Sequence, residues 1–233
     1  MLLILLLAMG MFVFTFWLAR QTLARDSGPK EMTCARSLPS RAAALPCRRR
    51  LTLALCAGRL VATAIREGAE GFLSTQYGSI ARYVVIVAGM LFLLYLTRPP
   101  PHSTISTFTM ACLMSSTFCV GAFMSGLAGY IGMWISVRAN VRTAAAATRS
   151  YQSSIDTALR GGAVCGLLVV GLCVFGLTTL FMLFRSMFPD TPSAFTPNLL
   201  VGFGFGASLV ALFAQVGGGI YTKAADVGAD LVG

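Results

Sequence analysis

LLVGFGFGASLVALFAQVGGGIYTKAADVGADLVG, residues 199–233, begins as an apolar run and ends in charge. The apolar part, from 199 to about 222, is long enough to cross the roughly 30 Å hydrocarbon core of a bilayer as one helix. Lys223, Asp226 and Asp230 follow, three and four residues apart, so a helix projects all three from one side. Stepping back by fours from Lys223 reaches Gly219 and Gln215, which extends the stripe toward the apolar region. Carboxylates at the end of a membrane helix are costly, and a cost of that kind usually marks function. The plain alternative is a Lys223–Asp226 pair within the helix beside a solvated Asp230, worth a few tenths of a kcal/mol.

Two carboxylates one turn apart suit a hard divalent cation such as Mg²⁺, which prefers oxygen ligands and keeps waters while bridging phosphate oxygens. A neighbouring lysine adds a point charge for the phosphates themselves. The constellation therefore suggests binding of a magnesium–phosphate species at a membrane surface.

The rest of the chain reads as membrane protein. Hydrophobic residues make up 56% and charged residues 11%, with a mean hydropathy of +0.77. A soluble domain carries roughly a quarter charged residues. The expectation is an all-α membrane protein with about five transmembrane helices, at residues 1–19, 81–97, 107–137, 161–187 and 199–222. The first has no basic region before its apolar run, and Arg20 and Arg25 follow it, which argues for an uncleaved helix rather than a signal peptide.

Charge sets the orientation. Of eighteen Lys and Arg, eleven lie within 20–82, and Arg138, Arg142, Arg149 and Arg160 follow the third span. The other two connections hold only Arg98 and Arg185. The positive-inside rule puts the loops 20–80 and 138–160 in the cytosol, so the fifth helix runs toward the cytosol and its segment 199–233 carries the charged stripe there. The net charge of +10 is thereby read as topology, and no nucleic acid partner is expected.

Other chemistries find no support. Seven cysteines without a CxxC pair and a single histidine, His102, do not make a zinc site or a disulfide framework. Cys112, Cys119, Cys165 and Cys173 fall in apolar stretches, where cysteine acts as a small hydrophobe. His102 follows three prolines and reads as a solvated loop residue. No Walker A, GxGxxG, HExxH or Ser/His/Asp set is present. Ser125, Gly126, Gly129 and Gly132 in the third span, and Gly202, Gly204, Gly206, Gly217, Gly218 and Gly219 in the fifth, are expected to let helix backbones approach closely.

GGGIYTKAADVGADLVG (217–233) resembles the first acidic motif of membrane-bound, ion-translocating inorganic pyrophosphatases. The likeness continues in AIREGAEGFLSTQYGSI (64–80), AGYIGMWISVRANVR (128–142) and FGFGASLVALFAQ (203–215). The resemblance implies the N-terminal third of a roughly sixteen-helix pump bundle. It implies that Lys223 contacts inorganic pyrophosphate and that Asp226 and Asp230 hold Mg²⁺. Gln215, where many family members carry arginine, together with GMW and VRANVR, resembles the potassium-independent, proton-pumping subtype. The family also implies a homodimer when full length, the lipid bilayer as surroundings, and an endomembrane such as Golgi, vacuole or acidocalcisome.

Two departures from the family pattern shape the expectations. The remaining acidic motifs, the water-activating aspartates and the ion gate are not in this sequence, so no catalytic residue is assigned within it and the fragment alone is expected to be inactive. The basic stretch at 33–61, which includes CRRR at 47–50, is an insertion expected to lack regular structure and to arise from a retained intron or gene-model error. The competing reading is a small non-enzymatic polytopic membrane protein, a channel or pump-partner subunit.

Overall fold

The computed structural model describes residues 2–25, 47–98, 106–147, 149–189 and 195–232, with the side chains of 47–66, 195, 229 and 231–232 not described. The described residues form five helices: α1 (Leu2–Ala24), α2 (Cys47–Thr97), α3 (Thr107–Ala147), α4 (Tyr151–Met187) and α5 (Phe195–Val232). Among the described residues there is no strand, and each helix contains a stretch long and apolar enough to cross a membrane. The 51 residues of α2 would extend roughly 75 Å, far more than the hydrocarbon core requires.

The insertion divides in two. Residues 33–46 lie outside the described residues, as does His102. Residues 47–61, expected to be without regular structure, are instead the beginning of α2. LTLALCAGRLVATA at 51–64 is rich in leucine and alanine and contains no proline, which favours a helix despite Gly58. Pro46, immediately before Cys47, suits a helix start. The span expected at 81–97 is accordingly the last part of a longer helix, whose apolar stretch covers Glu67–Thr97.

The chain separates into two compact units. The first comprises Met1–Val13, Phe72–Ile131 and Leu167–Gly233. Its main core gathers Met110 and Met114 of α3, Leu180 and Phe184 of α4, and Leu199 and Phe203 of α5. Here α3 and α5 meet backbone to backbone. A methyl added at Gly121 would overlap the Phe203 carbonyl, and one at Gly206 would overlap the Phe118 carbonyl. Only glycine admits that approach, and it supplies the van der Waals contact that holds helices together where lipid replaces water. Phe118 and Thr117 are almost fully buried at this crossing, and the Thr117 hydroxyl donates to the Leu113 and Met114 carbonyls of its own helix. That internal bond satisfies a polar group that hydrocarbon would otherwise strand.

The glycine expectation is therefore selective. Gly202 and Gly206 pack tightly, whereas Gly204, Gly218 and Gly219 face open space. Gly121, just ahead of the small-residue run at 125–132, is among the tightest positions.

The second unit comprises Phe14–Gly71 and Gly132–Gly166. Its helices are tied by polar contacts. Asp156 on α4 is paired with both Arg25, just past α1, and Arg160. The Ser154 hydroxyl donates to the Thr143 carbonyl at 3.2 Å, and the Cys165 thiol donates to the Gly132 carbonyl at 3.3 Å. Arg138 lies 3.7 Å over the Trp134 ring and 3.9 Å from Glu70. The four cysteines whose side chains are described, Cys112, Cys119, Cys165 and Cys173, are free.

Candidate functional site

The position of the charged stripe follows from how α5 leans on α2, within the first unit. Phe72 packs against Tyr221 with ring centroids 5.1 Å apart, and Tyr83 stacks on Phe213 at 5.3 Å. Ile80 joins Val210 in a small buried cluster with Ala122. Between these contacts the Gln76 amide donates to the Phe213 carbonyl at 2.7 Å. A side chain at Gly217 would collide with that amide, so glycine at 217 makes room for the glutamine.

Phe213, Gly217 and Tyr221 recur every four residues and therefore mark one face of α5. At 100° per residue, Lys223, Asp226 and Asp230 fall about 120–180° from the middle of that face, on the other side of the helix. The structure bears out that geometry. Lys223 and Asp226 keep 80% and 68% of their side-chain surface exposed, and Asp230 is exposed as well. Gln215 and Gly219 are also exposed, and a methyl added at Gly219 would meet no atom. The five positions therefore form one open line along the helix.

Lys223 Nζ lies 3.9 Å from Asp226 Oδ2, a loose ion pair between residues three apart. Such a pair contributes only a few tenths of a kcal/mol, too little to explain two carboxylates and an ammonium at this place. Among the described residues no group of three or more His, Cys, Asp or Glu could enclose a metal ion. Two carboxylates with open space before them nonetheless fit Mg²⁺, which is commonly held by one or two carboxylates plus waters and substrate phosphates. The stripe can supply one side of a binding site, and among the described residues no cluster of metal-binding side chains completes it.

Gln76 is the site feature that sequence reading passed over. It sits inside the quoted segment 64–80, and its signal was available: an amide on a helix that leads into an apolar span must find a partner. Which partner it finds depends on a residue 137 positions away, and spacing alone does not reveal that.

The model of the family described as inorganic H+ pyrophosphatase matches residues 11–233. The chain belongs to that family. It is 42% identical over 231 residues to pyrophosphate-energized membrane proton pump 3 of Arabidopsis thaliana, covering 95% of this chain and 26% of the relative. It is 47% identical over 174 residues to a K(+)-insensitive pyrophosphate-energized proton pump of Caldanaerobacter subterraneus subsp. tengcongensis, covering 74% of this chain and 24% of the relative. A third relative, K(+)-insensitive pyrophosphate-energized proton pump 2 of Moorella thermoacetica, is 44% identical over 217 residues, with 93% and 26% covered. The chain thus spans about a quarter of the length of the curated relatives it matches. Family and helices together make it a multi-pass integral membrane protein.

Proposed function

We propose that this chain forms part of a proton pump that couples hydrolysis of cytosolic Mg-pyrophosphate to proton transport, and that α5 contributes one wall of the substrate site. The observation that carries the reading is the exposed line of Lys223, Asp226 and Asp230, turned away from the face of α5 on which Phe213 and Tyr221 meet α2. Lys223 would contact a phosphate oxygen of pyrophosphate. Asp226 and Asp230 would hold Mg²⁺, whose positive charge, when bound, draws electron density from the phosphoryl group and offsets charge developing on the leaving phosphate. The membership in a pyrophosphatase family supports a divalent-metal requirement, and the oxygen-only donor set of α5 favours magnesium.

What this chain does at that site is bind and orient. Phosphoryl transfer needs groups placed on several sides of the moving phosphorus, and one open line of three charges occupies a single side. The 233 residues by themselves are therefore expected neither to hydrolyse pyrophosphate nor to pump. Two of the relatives quoted above carry "K(+)-insensitive" in their names, which supports assigning the chain to the potassium-independent type. Family resemblance leads us to place the pump as a homodimer in an endomembrane, Golgi, vacuole or acidocalcisome. The competing idea of a non-enzymatic channel or partner subunit has no observation in its favour.

The test is reconstitution. Full-length protein containing this chain, placed in liposomes with its cytosolic face outward, should acidify the lumen when Mg-pyrophosphate is added, with or without potassium. Hydrolysis without acidification would remove the pump, and hydrolysis by the 233-residue chain alone would remove the one-wall reading.

A further inference from the structure

Between the packed first half of α5 and its charged end lie three consecutive glycines, Gly217, Gly218 and Gly219. Glycine weakens a helix interior, so a run of three makes this turn the easiest place for α5 to bend or rotate. A methyl at Gly218 or Gly219 would meet no atom within 4 Å, so packing against the described residues calls for neither glycine. Lys223, the first charge of the stripe, comes four residues after Gly219. The stiffness of α5 alone therefore does not set the direction in which the stripe faces.

Two facing rows of side chains supply what the helix lacks. On α2, Phe72, Gln76 and Ile80 are four residues apart and Tyr83 follows three later. On α5, Val210, Phe213, Gly217 and Tyr221 share a face at the same steps. The rows run antiparallel: Phe72 meets Tyr221, Ile80 clusters with Val210, and Tyr83 stacks on Phe213. Gln76 stands in the middle, an amide among apolar and aromatic neighbours. Its Nε2 donates to the Phe213 carbonyl at 2.7 Å and fills the space beside Gly217. In an α-helix that carbonyl also accepts from the N–H four residues on, here Gly217, so its second lone pair takes the amide. Gln76 thus grips α5 at the place where the glycine run begins. Apolar contact is non-directional and lets helices slide or turn, whereas a hydrogen bond tolerates little misalignment.

Resting on the reading of α5 as the pyrophosphate wall, we infer that Gln76 is a positioning residue for that wall. Its amide braces α5 across the glycine run, so that Lys223, Asp226 and Asp230 face the substrate in one direction. Gln76 itself touches neither substrate nor metal and acts through α5. Substrate binds the braced orientation, and the apparent affinity scales with the fraction of molecules that hold it. Removing the brace lowers that fraction by up to the weight of one hydrogen bond, about fivefold.

The test is the KM for Mg-pyrophosphate of the full-length protein in liposomes. A merely structural loss leaves fewer active molecules with an unchanged KM, so KM is the readout that separates positioning from stability. Q76L keeps a side chain of similar size and removes the donor, and KM should rise about fivefold. G217A displaces the same amide from the α5 side and should raise KM by a similar factor, with Q76L/G217A no worse than either alone. S115A is the matched control, because it removes another interhelical bond, from Ser115 of α3 to the Ala88 carbonyl of α2 at 3.1 Å. Its KM should equal that of the wild type. K223A, measured alongside, tests the wall itself. A raised KM in K223A with Q76L at the wild-type value would overturn the role of Gln76 and leave the wall standing. An unchanged KM in K223A would overturn both. An equal rise in S115A would mean a general loosening of the bundle and would also overturn the role of Gln76. Where Q76L does not fold, G217A decides.

Discussion

The two halves of α5 are built on opposite terms. Its first half is packed backbone against backbone, with Gly202 and Gly206 pressed against α3 and Phe203 nearly fully buried. Its second half touches α2 along one face and leaves Lys223, Asp226 and Asp230 open on the other. Residues that hold the helix and residues proposed to serve a site are thus separated along a single element. Packing sets where the helix stands, and the charges at its end contribute almost nothing to keeping it there. Substitutions should consequently split into two classes, those that lose activity with stability intact and those that lose stability first.

The largest effect should come from Asp230→Ala in the full-length protein. Loss of a carboxylate proposed to hold the metal would remove several kcal/mol of charge stabilisation, so pyrophosphate hydrolysis should fall by at least about a hundredfold while the melting temperature stays put. A matched fall in melting temperature would blur the division between the two halves. Next comes Gly206→Ala. The added methyl would press on the Phe118 carbonyl, a backbone atom that has no rotamer to escape into. Overpacking of that kind costs about 1–3 kcal/mol, readable as earlier unfolding in detergent.

Gly217→Ala should be milder, because the group in its way is the end of the Gln76 side chain rather than backbone. The glutamine must swing aside and release the Phe213 carbonyl, a loss of about 0.5–1.5 kcal/mol. Gln76→Ala in the same background should then add little further destabilisation, and a double-mutant cycle checks that coupling. The smallest effect belongs to Lys223→Ala. Its pair with Asp226 is exposed and 3.9 Å long, so stability should shift by no more than about 0.5 kcal/mol, while the KM for pyrophosphate rises. A large loss of stability in that variant would mean the stripe is structural after all.

Sequence reading recovered much of this arrangement because its strongest signals are local. Apolar length marked all five spans, and the spacing of Lys223, Asp226 and Asp230 put them on one side of a helix. The parts it missed depend on distance or on competition between cues. The charges of 47–50 and the surrounding basic insertion suggested disorder, yet the leucine and alanine that follow carry α2 back to Cys47. Gly121 precedes the small-residue run at 125–132 of its helix, and only the arrival of Phe203 makes it necessary. Arg142 and Arg149 read as topology signals, and their convergence with Arg25 on one cavity requires three helix ends to meet.

The most direct test of the central claim is Asp226→Ala in the full-length protein, with pyrophosphate hydrolysis and thermal unfolding measured on the same preparation. The account predicts hydrolysis lost and the unfolding midpoint unchanged, because Asp226 serves the substrate side of α5 and not its packing. Hydrolysis at the wild-type rate would contradict it.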